Sequence, residues 1–526
     1  MKGTFANFLK PEVACALGAF VLCAGMLTAN SPAGANAVSG SDCGRRSNNT
    51  ERRLLECIRA PALWNHLKNL QKIADENPGA KGHGNRDTGT PGYRASVHYV
   101  ANLMRQAGYT VRIQSYQWKH SKVVGIPRFR IDGRGYSEGK GWFVARLSGS
   151  GTIDALLEIP GAKGIDVSTT GCSESEFKGF RKGHVALLRR GDCDFDKQVA
   201  NAQRAGASAV LLYNDAPALD QAAHRAHADG RAFPAVLVEG ARIPVVGALS
   251  SALGTRLVAR VRAGEAPQIH IDVHTRNKSD IDYNVVADSP YGDADRVVVV
   301  DAHLDSIYGA GILDNGSGSA TILEIARNLA HTPTRNRLRY IWFGGEEIGL
   351  LGSRYYTRAL SRSELKKIVF DLDVDVTATP NFAVLIADPG HAHNKDKFPP
   401  NVVPDSQTGN RRFARYFHSI GIPARIAGFG NDGTDSLAFS LVGVPNSGIL
   451  TQQNCCKHDW EVKLWGGFPG NFEGKIPGRD GGCVDWPRRW CDNLSNNDRL
   501  VLEFVSKGVA AVTLGLANDG SLGRTQ

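Results

Sequence analysis

Six side chains able to bind a metal or move a proton fall in four short stretches of the chain. His303 and Asp305 lie two apart in DAHLDS, Asp314 sits in GILDNGSG, Glu346 and Glu347 are adjacent in WFGGEEIGLLGS, and Asp375 belongs to VDVTATPN. One imidazole with several carboxylates is a nitrogen and oxygen donor set suited to zinc or a similar divalent ion, and it has room for two ions. A carboxylate left over beside a metal-activated water is a general base. Singly, each residue has a plain structural explanation: His303 as a satisfied core histidine, Asp314-Asn315-Gly316 as a turn, the glutamate pair as a solvated loop. Their shared placement argues for chemistry, because each follows an apolar run, where an unpaired charge is costly.

Those apolar runs are the elements that must position the six. RVVVVDAH precedes His303, LRYIWFGG precedes the glutamates, IVFDLDVDV leads to Asp375, and FAVLIAD and NSGIL follow; helical patterns cover residues 316–330 and 353–360. Unbroken valine runs alternating with helices are what strands buried on both faces look like. The expected fold is an α/β three-layer sandwich with a mostly parallel central sheet, its ligand site at the carboxyl ends of the strands. Upstream, apolar residues recur at three-to-four spacing over 62–74 and over 93–107, including Val97, Val100, Leu103 and Met104, which predicts two helices packing on that sheet. Residues from about 140 to 275 have their own strands, their own cysteine pair and an alanine-rich helix near Val199 to Ala207, and read as a separate module.

The whole chain has 526 residues, 42% of them hydrophobic, and a formal charge of +10, enough to bury large cores. The basic residues are scattered without a run that could track a phosphate backbone, so no nucleic-acid partner is expected. Lys2 and Lys10 lead into an apolar stretch, Val13 to Ala29, followed by a small-residue segment ending Ala35-Asn36-Ala37, the outline of a signal peptide over residues 1–37. The mature chain is then expected to be secreted or periplasmic, with no stable membrane span after cleavage; its oligomeric state stays open. Eight cysteines remain, an even number suited to disulfides in an exported protein. Proximity favours Cys43 with Cys57 and Cys172 with Cys193, while Cys455, Cys456, Cys483 and Cys491 leave three pairings open.

The middle region carries HVALLRRGDCDF, then a helical stretch, then AGASAVLLYND, with Arg190, Gly191, Cys193 and Phe195 in the turn. It resembles the protease-associated (PA) domain. The strand-end motifs, with GNRDTGTPGY at 84–93, GTDSLAFSLVGVP from Gly433 and LWGG from Leu464, resemble the M28 family of metallopeptidases. The resemblance implies a zinc exopeptidase-like fold with an inserted PA domain, a peptide or protein substrate, and a division of roles that can be carried over residue by residue. His303 and Asp375 are then ligands of one zinc, Asp314 bridges two zincs, Glu347 is a ligand of the other, Asp305 orients His303, and Glu346 is the general base. The implied layout is a signal peptide over 1–37, an N-terminal segment over 38–139, the PA insertion over 140–275 and the peptidase domain over 276–520. The family's fifth ligand, a histidine after a tyrosine in a CYHxxC-like segment, has no counterpart in GGCVDWPRRWCDNLSN from Gly481. Asp485 is the expected replacement, with His458 the alternative and loss of the ligand a third. Asp435 is expected to serve as a hydrogen-bonding residue, and Asn315, although in a glycosylation sequon, to stay unmodified beside the metals. The implied function is that of a secreted zinc aminopeptidase acting by metal-activated water; the alternatives are a binding protein of the same fold that has lost turnover, and a carboxypeptidase or glutaminyl-cyclase-like relative.

Overall fold

The computed structural model describes residues 43–79, 82–161, 169–191, 193–214, 230, 232–392, 395–428, 433–453, 455–473 and 490–523. The expected signal peptide and Asp485 lie outside the described residues.

An eight-stranded sheet organises the larger part of the chain. Its strands are β1 (Thr110–Val123), β2 (Thr275–Asp288), β3 (Asp293–His303), β4 (Asn336–Phe343), β5 (Ile368–Val374), β6 (Leu385–Ala387), β7 (Arg425–Ala427) and β8 (Asn446–Leu450), in the order β1-β2-β4-β3-β5-β8-β6-β7. The middle of the sheet, β4-β3-β5-β8, is parallel, while β1, β2 and the β6–β8 pair are antiparallel. Val298 and Val300 of β3 enter one core and Val297 and Val299 the other, which is why the valine run has no polar face. The first core is shared with helices α1 (Ala60–Glu76), α2 (Pro91–Gln106), α3 (Gly316–Leu329), α5 (Val402–Ser419) and α8 (Arg499–Ala517). The second lies under α4 (Leu351–Ala359) and α6 (Ser436–Leu441) through Tyr356 and Phe439. The three-layer α/β sandwich read from the sequence is the fold observed.

Helix α8 is long and apolar enough to cross a membrane by length and composition. Its Val501, Leu502, Val505 and Val509 are instead buried in the first core, as in a core helix of a globular protein.

A seven-stranded second sheet is formed wholly by residues between β1 and β2. Gly151–Glu158, Val185–Arg189, Ala209–Tyr213 and Val245–Leu249 run parallel, and Gln268–Val273, Arg128–Ile131 and Arg134–Tyr136 extend the sheet antiparallel. Helix Phe195–Ala205 makes the crossover expected from the sequence. Two of the strands lie upstream of residue 140, so this sheet reaches back almost to the end of β1. There Val123 pairs with Thr275, and the Val124 N–H donates to the His274 carbonyl at 2.8 Å. The disulfides Cys43–Cys57 and Cys172–Cys193 are both formed, as proximity suggested.

Candidate metal centre

Strand β3 ends at His303, and a loop from Leu304 to Asp314 then leads into α3. Candidate ligands therefore sit at both ends of one loop, whose shape is held from outside by residues 86–88. The buried Arg86 donates Nε to the Ala310 carbonyl at 2.7 Å, Nη1 to that of Leu304 at 2.7 Å, and Nη2 to that of Gly311. Burial lowers the Arg86 pKa to about 10, while Asp492, Asp305 and Asp87 hold it up. The Asp87 carboxylate accepts from Ser306 Oγ at 3.0 Å and from the Tyr308 N–H. Thr88 Oγ1 donates to Asp305 Oδ2 at 2.9 Å. At the far end, the buried Asp492 accepts the N–H groups of Leu313 at 2.7 Å and Asp314 at 3.2 Å.

The parallel register sets Asp301 opposite Asp373, so His303 comes level with Asp375, just past the end of β5. His303 Nδ1 lies 3.1 Å from the Asp305 carbonyl oxygen, and a proton held there leaves Nε2 to serve as a ligand. Nε2 is 3.2 Å from Asp314 Oδ1, 3.4 Å from Asp375 Oδ1 and 3.9 Å from Glu346 Oε2. His303, Asp314 and Asp375 each offer one ligand atom, and these atoms lie within 4.8 Å of one another. Ligands about 2.0 to 2.1 Å from a tetrahedral zinc stand about 3.3 Å apart, so the two shortest separations fit that ion. The donor set therefore fits the metal that its chemistry suggests.

The electrostatics favour a cation at this point. Burial alone would depress the His303 imidazole, yet Glu346, Asp305, Asp314 and Asp375 push its pKa well above the usual value. Burial drives the Glu346 carboxyl well up; His303 opposes this, and Glu347, Asp435 and Asp375 add to it. Asp375 is likewise raised by burial, against the pull of His303. The acidic side chains continue beneath the site into the α4 and α6 layer. Asp301, Asp371 and Asp435 are buried carboxyls held well above the ordinary range by burial and by one another's charge, and Asp373 is pushed up to about 7.

The remaining expected residues are placed as follows. Asp305 stands behind His303, its Oδ1 3.5 Å from Nδ1 and 3.3 Å from the Glu346 N–H, and so ties the end of β3 to the glutamate loop. Glu347 lies beside Glu346, outside the three-residue group. Asp435 is buried at the start of α6. His458 precedes helix α7 (Asp459–Trp465), where its N–H donates to the Glu461 carboxylate at 2.8 Å; it too is outside the group. The Asn315 side chain is consumed internally: its amide donates to the Val374 carbonyl at 2.9 Å, and its oxygen accepts from Gly318 N–H and Val376 N–H. It is buried and has no room for a glycan.

Arg86, Asp87, Thr88 and Asp492 were given no role in the sequence reading. The available signals were the polar NRDT ahead of the Thr90-Pro91 helix start, and an aspartate directly after a cysteine.

The domain of the second sheet reaches the glutamate loop. Ile348 packs with Tyr116 and Trp118 of β1. A side chain at Gly349, whose φ is +110°, would collide with Val238 of the second sheet's domain. The Arg146 guanidinium from that domain lies 5.0 Å from the Trp118 ring centroid.

The sequence matches the model of peptidase family M28 over residues 284–465 and that of the PA domain over residues 159–245. It is 31% identical to an aminopeptidase of Pseudomonas aeruginosa, over 88% of this chain and 82% of the relative. It is also 31% identical to the probable lipoprotein aminopeptidase LpqL of Mycobacterium tuberculosis, over 86% of this chain and 84% of the relative. The fold is similar to that of an aminopeptidase from Aneurinibacillus sp. strain AM-1, with a TM-score of 0.63 and 21% identity over 90% of this chain and 97% of the other. A zinc aminopeptidase from Bacillus subtilis matches with a TM-score of 0.55 and 21% identity, over 88% of this chain and 96% of the other.

Proposed function

Because the chain belongs to peptidase family M28 and is an aminopeptidase, we propose that it is an exported enzyme with two zinc ions, which removes N-terminal residues from peptides. The observation that carries the site assignment is the convergence of Asp314 and Asp375 on His303 Nε2 at 3.2 and 3.4 Å. On this reading His303 and Asp375 would hold one zinc, Glu347 the other, and Asp314 would be shared between them. Asp485 is proposed for the remaining position, in preference to His458, which lies outside the group formed by His303, Asp314 and Asp375. The limits of the inserted domain are proposed as residues 124–274, the span enclosed by the β1–β2 pairing.

Zinc bound there supplies an acidified water and a Lewis acid for the scissile carbonyl. The protein's own part is to place and move protons. Glu346 Oε2, 3.9 Å from His303 Nε2, takes the proton of the attacking water and returns it to the leaving amine. Asp305 holds the Glu346 main chain and the His303 ring in register through one carboxylate. The carboxylate-rich surroundings attract the substrate's α-ammonium group. Export is supported by the two disulfides and the N-terminal pattern; N-terminal sequencing of the mature protein should begin at Val38.

The test is hydrolysis of a leucine anilide by the purified chain, with zinc measured on the same sample. Activity abolished by chelation and restored by zinc, at close to two ions per chain, is expected. Zinc binding without hydrolysis across a range of aminoacyl substrates would refute catalysis.

A further inference from the structure

One wall beside the glutamate loop belongs to the inserted domain, and it carries an arginine with no acidic partner among the described residues. The Arg146 N–H donates to the Ala235 carbonyl at 2.9 Å, and residue 146 bridges Val236. Val238, two residues further, meets Gly349, which is itself two residues past Glu347. The Arg146 guanidinium lies over Trp118, which packs on Ile348. Its side chain makes one long hydrogen bond among the described residues, from Nη2 to the Lys119 carbonyl at 3.4 Å, and it is hydrogen-bonded to no carboxylate among them. Tyr308 and Asp305, both from the stretch between His303 and Asp314, lie within its electrostatic reach, as do Tyr116 and Asp87.

A guanidinium has five N–H donors in a planar fork, and Arg146 spends one of them, on the Lys119 carbonyl, at a partly exposed position where a ligand can take the others. The chemistry that fits such a fork is a carboxylate, bound through two parallel hydrogen bonds. A substrate offers its α-ammonium to the acidic metal loop, and Arg146 would repel that group. The matching carboxylate must therefore come from the leaving side. One residue of extended peptide spans about 3.3 to 3.6 Å, so a carboxylate on the second residue stays close to the site.

We propose that Arg146 binds a carboxylate on the leaving-group side of the peptide, and so makes the inserted domain part of the substrate pocket. The proposal rests on the aminopeptidase reading of the metal centre. Two sources present this chemistry: the free terminus of a dipeptide and an acidic side chain at the second residue.

The experiment measures kcat/KM of the zinc-loaded full mature chain on Leu-Ala against Leu-Ala-amide, and on Leu-Asp-amide against Leu-Asn-amide. A charge-assisted pair is worth about 10- to 100-fold, so at least a tenfold preference for the charged member of one pair is expected. Preference in the first pair identifies the terminal carboxylate, and in the second the acidic side chain. Arg146→Gln should reduce the charged member at least tenfold more than its neutral mate, and Arg146→Lys should restore part of the preference. Because the unsubstituted enzyme already reports the preference, a variant that fails to fold does not remove the test. Equal rates within both pairs, or an equal loss on charged and neutral substrates in Arg146→Gln, would overturn the proposal. No hydrolysis of leucine anilide by the unsubstituted chain would remove the functional reading itself, and this proposal with it.

Discussion

Glu346 stands farther from His303 Nε2 than Asp314 or Asp375 does, at 3.9 Å against 3.2 and 3.4 Å, which suits a group that works on water rather than on an ion. Glu346→Gln keeps the shape and removes the base, so kcat should fall about 100- to 10,000-fold with zinc content unchanged. Steady-state kinetics with metal analysis on one sample checks this; full zinc at an unchanged rate would end the assignment. Asp492 acts through the main chain, holding the N–H groups of Leu313 and Asp314. Asp492→Ala should weaken zinc retention about 10- to 100-fold, measured by competition with a chelator. The candidate ligands and the proposed base stand out in the sequence because each follows an apolar run. Arg86 and Asp492 were not, because both grip main-chain groups, and any sequence offers those everywhere. Asp301 and Asp371 went unremarked for a different reason: within IVFDLDVDV and VVVVDAH, alternation alone does not distinguish a buried acid from a solvated one.

At the scale of elements, two close contacts set the site. The start of α3 rests against the end of β5, with Gly318 so near the Val374 carbonyl and the Asn315 oxygen that a Cβ would overlap both. Gly318→Ala should cost about 1 to 3 kcal/mol by overpacking and lower zinc affinity as Asp314 and Asp375 are pushed apart. Thermal unfolding with and without zinc separates the two effects, and a variant matching the parent in both would contradict the argument. Strand β2 holds the turn before α2, since Asp282 Oδ2 accepts the Gly89 N–H at 2.7 Å. Burial, with the Asp305 charge, pushes the Asp282 pKa to about 7 from its ordinary 3.8. Between those values the folded chain holds a proton that the unfolded chain has lost, so this carboxyl makes stability fall as pH rises through that window. Asp282→Asn stays neutral and still accepts from Gly89, so it should flatten the fall in urea midpoint between about pH 4 and pH 7. An unchanged slope would rule out Asp282 as its source. The valine run of β3 and the helical spacing of α2 announced these elements directly. Strand β1 was harder to read, because it lies at the sheet edge, pairs on one side only, and alternates polar with apolar residues.

At the scale of the molecule, two folded bodies meet at the residues that follow the glutamates. Gly349 and Val238 are in such close apposition that Gly349→Ala would both strain a positive φ and push the inserted domain away. The expected result is kcat/KM at least about tenfold lower, with a loss of stability of about 1 to 3 kcal/mol. Kinetics and thermal melts on the same preparation check it, and unchanged kcat/KM would show that the contact is incidental to activity. The sequence located the insertion by its own strands and cysteine pair. It gave no hint that the module returns to touch the loop carrying Glu346, because that contact joins residues over one hundred positions apart.

The insertion occupies the place of the turn between β1 and β2, two strands in register from Thr110 with Asp288 to Val123 with Thr275. Closing that hairpin over a disordered span of roughly 150 residues would cost about 4 kcal/mol in chain entropy. A folded insert already holds Val124 and His274 within one hydrogen bond of each other, and presents the hairpin with ends that have met. The inserted domain is thus a clasp for its host: once folded, it holds together the two ends of the hairpin that puts edge strand β1 on the sheet.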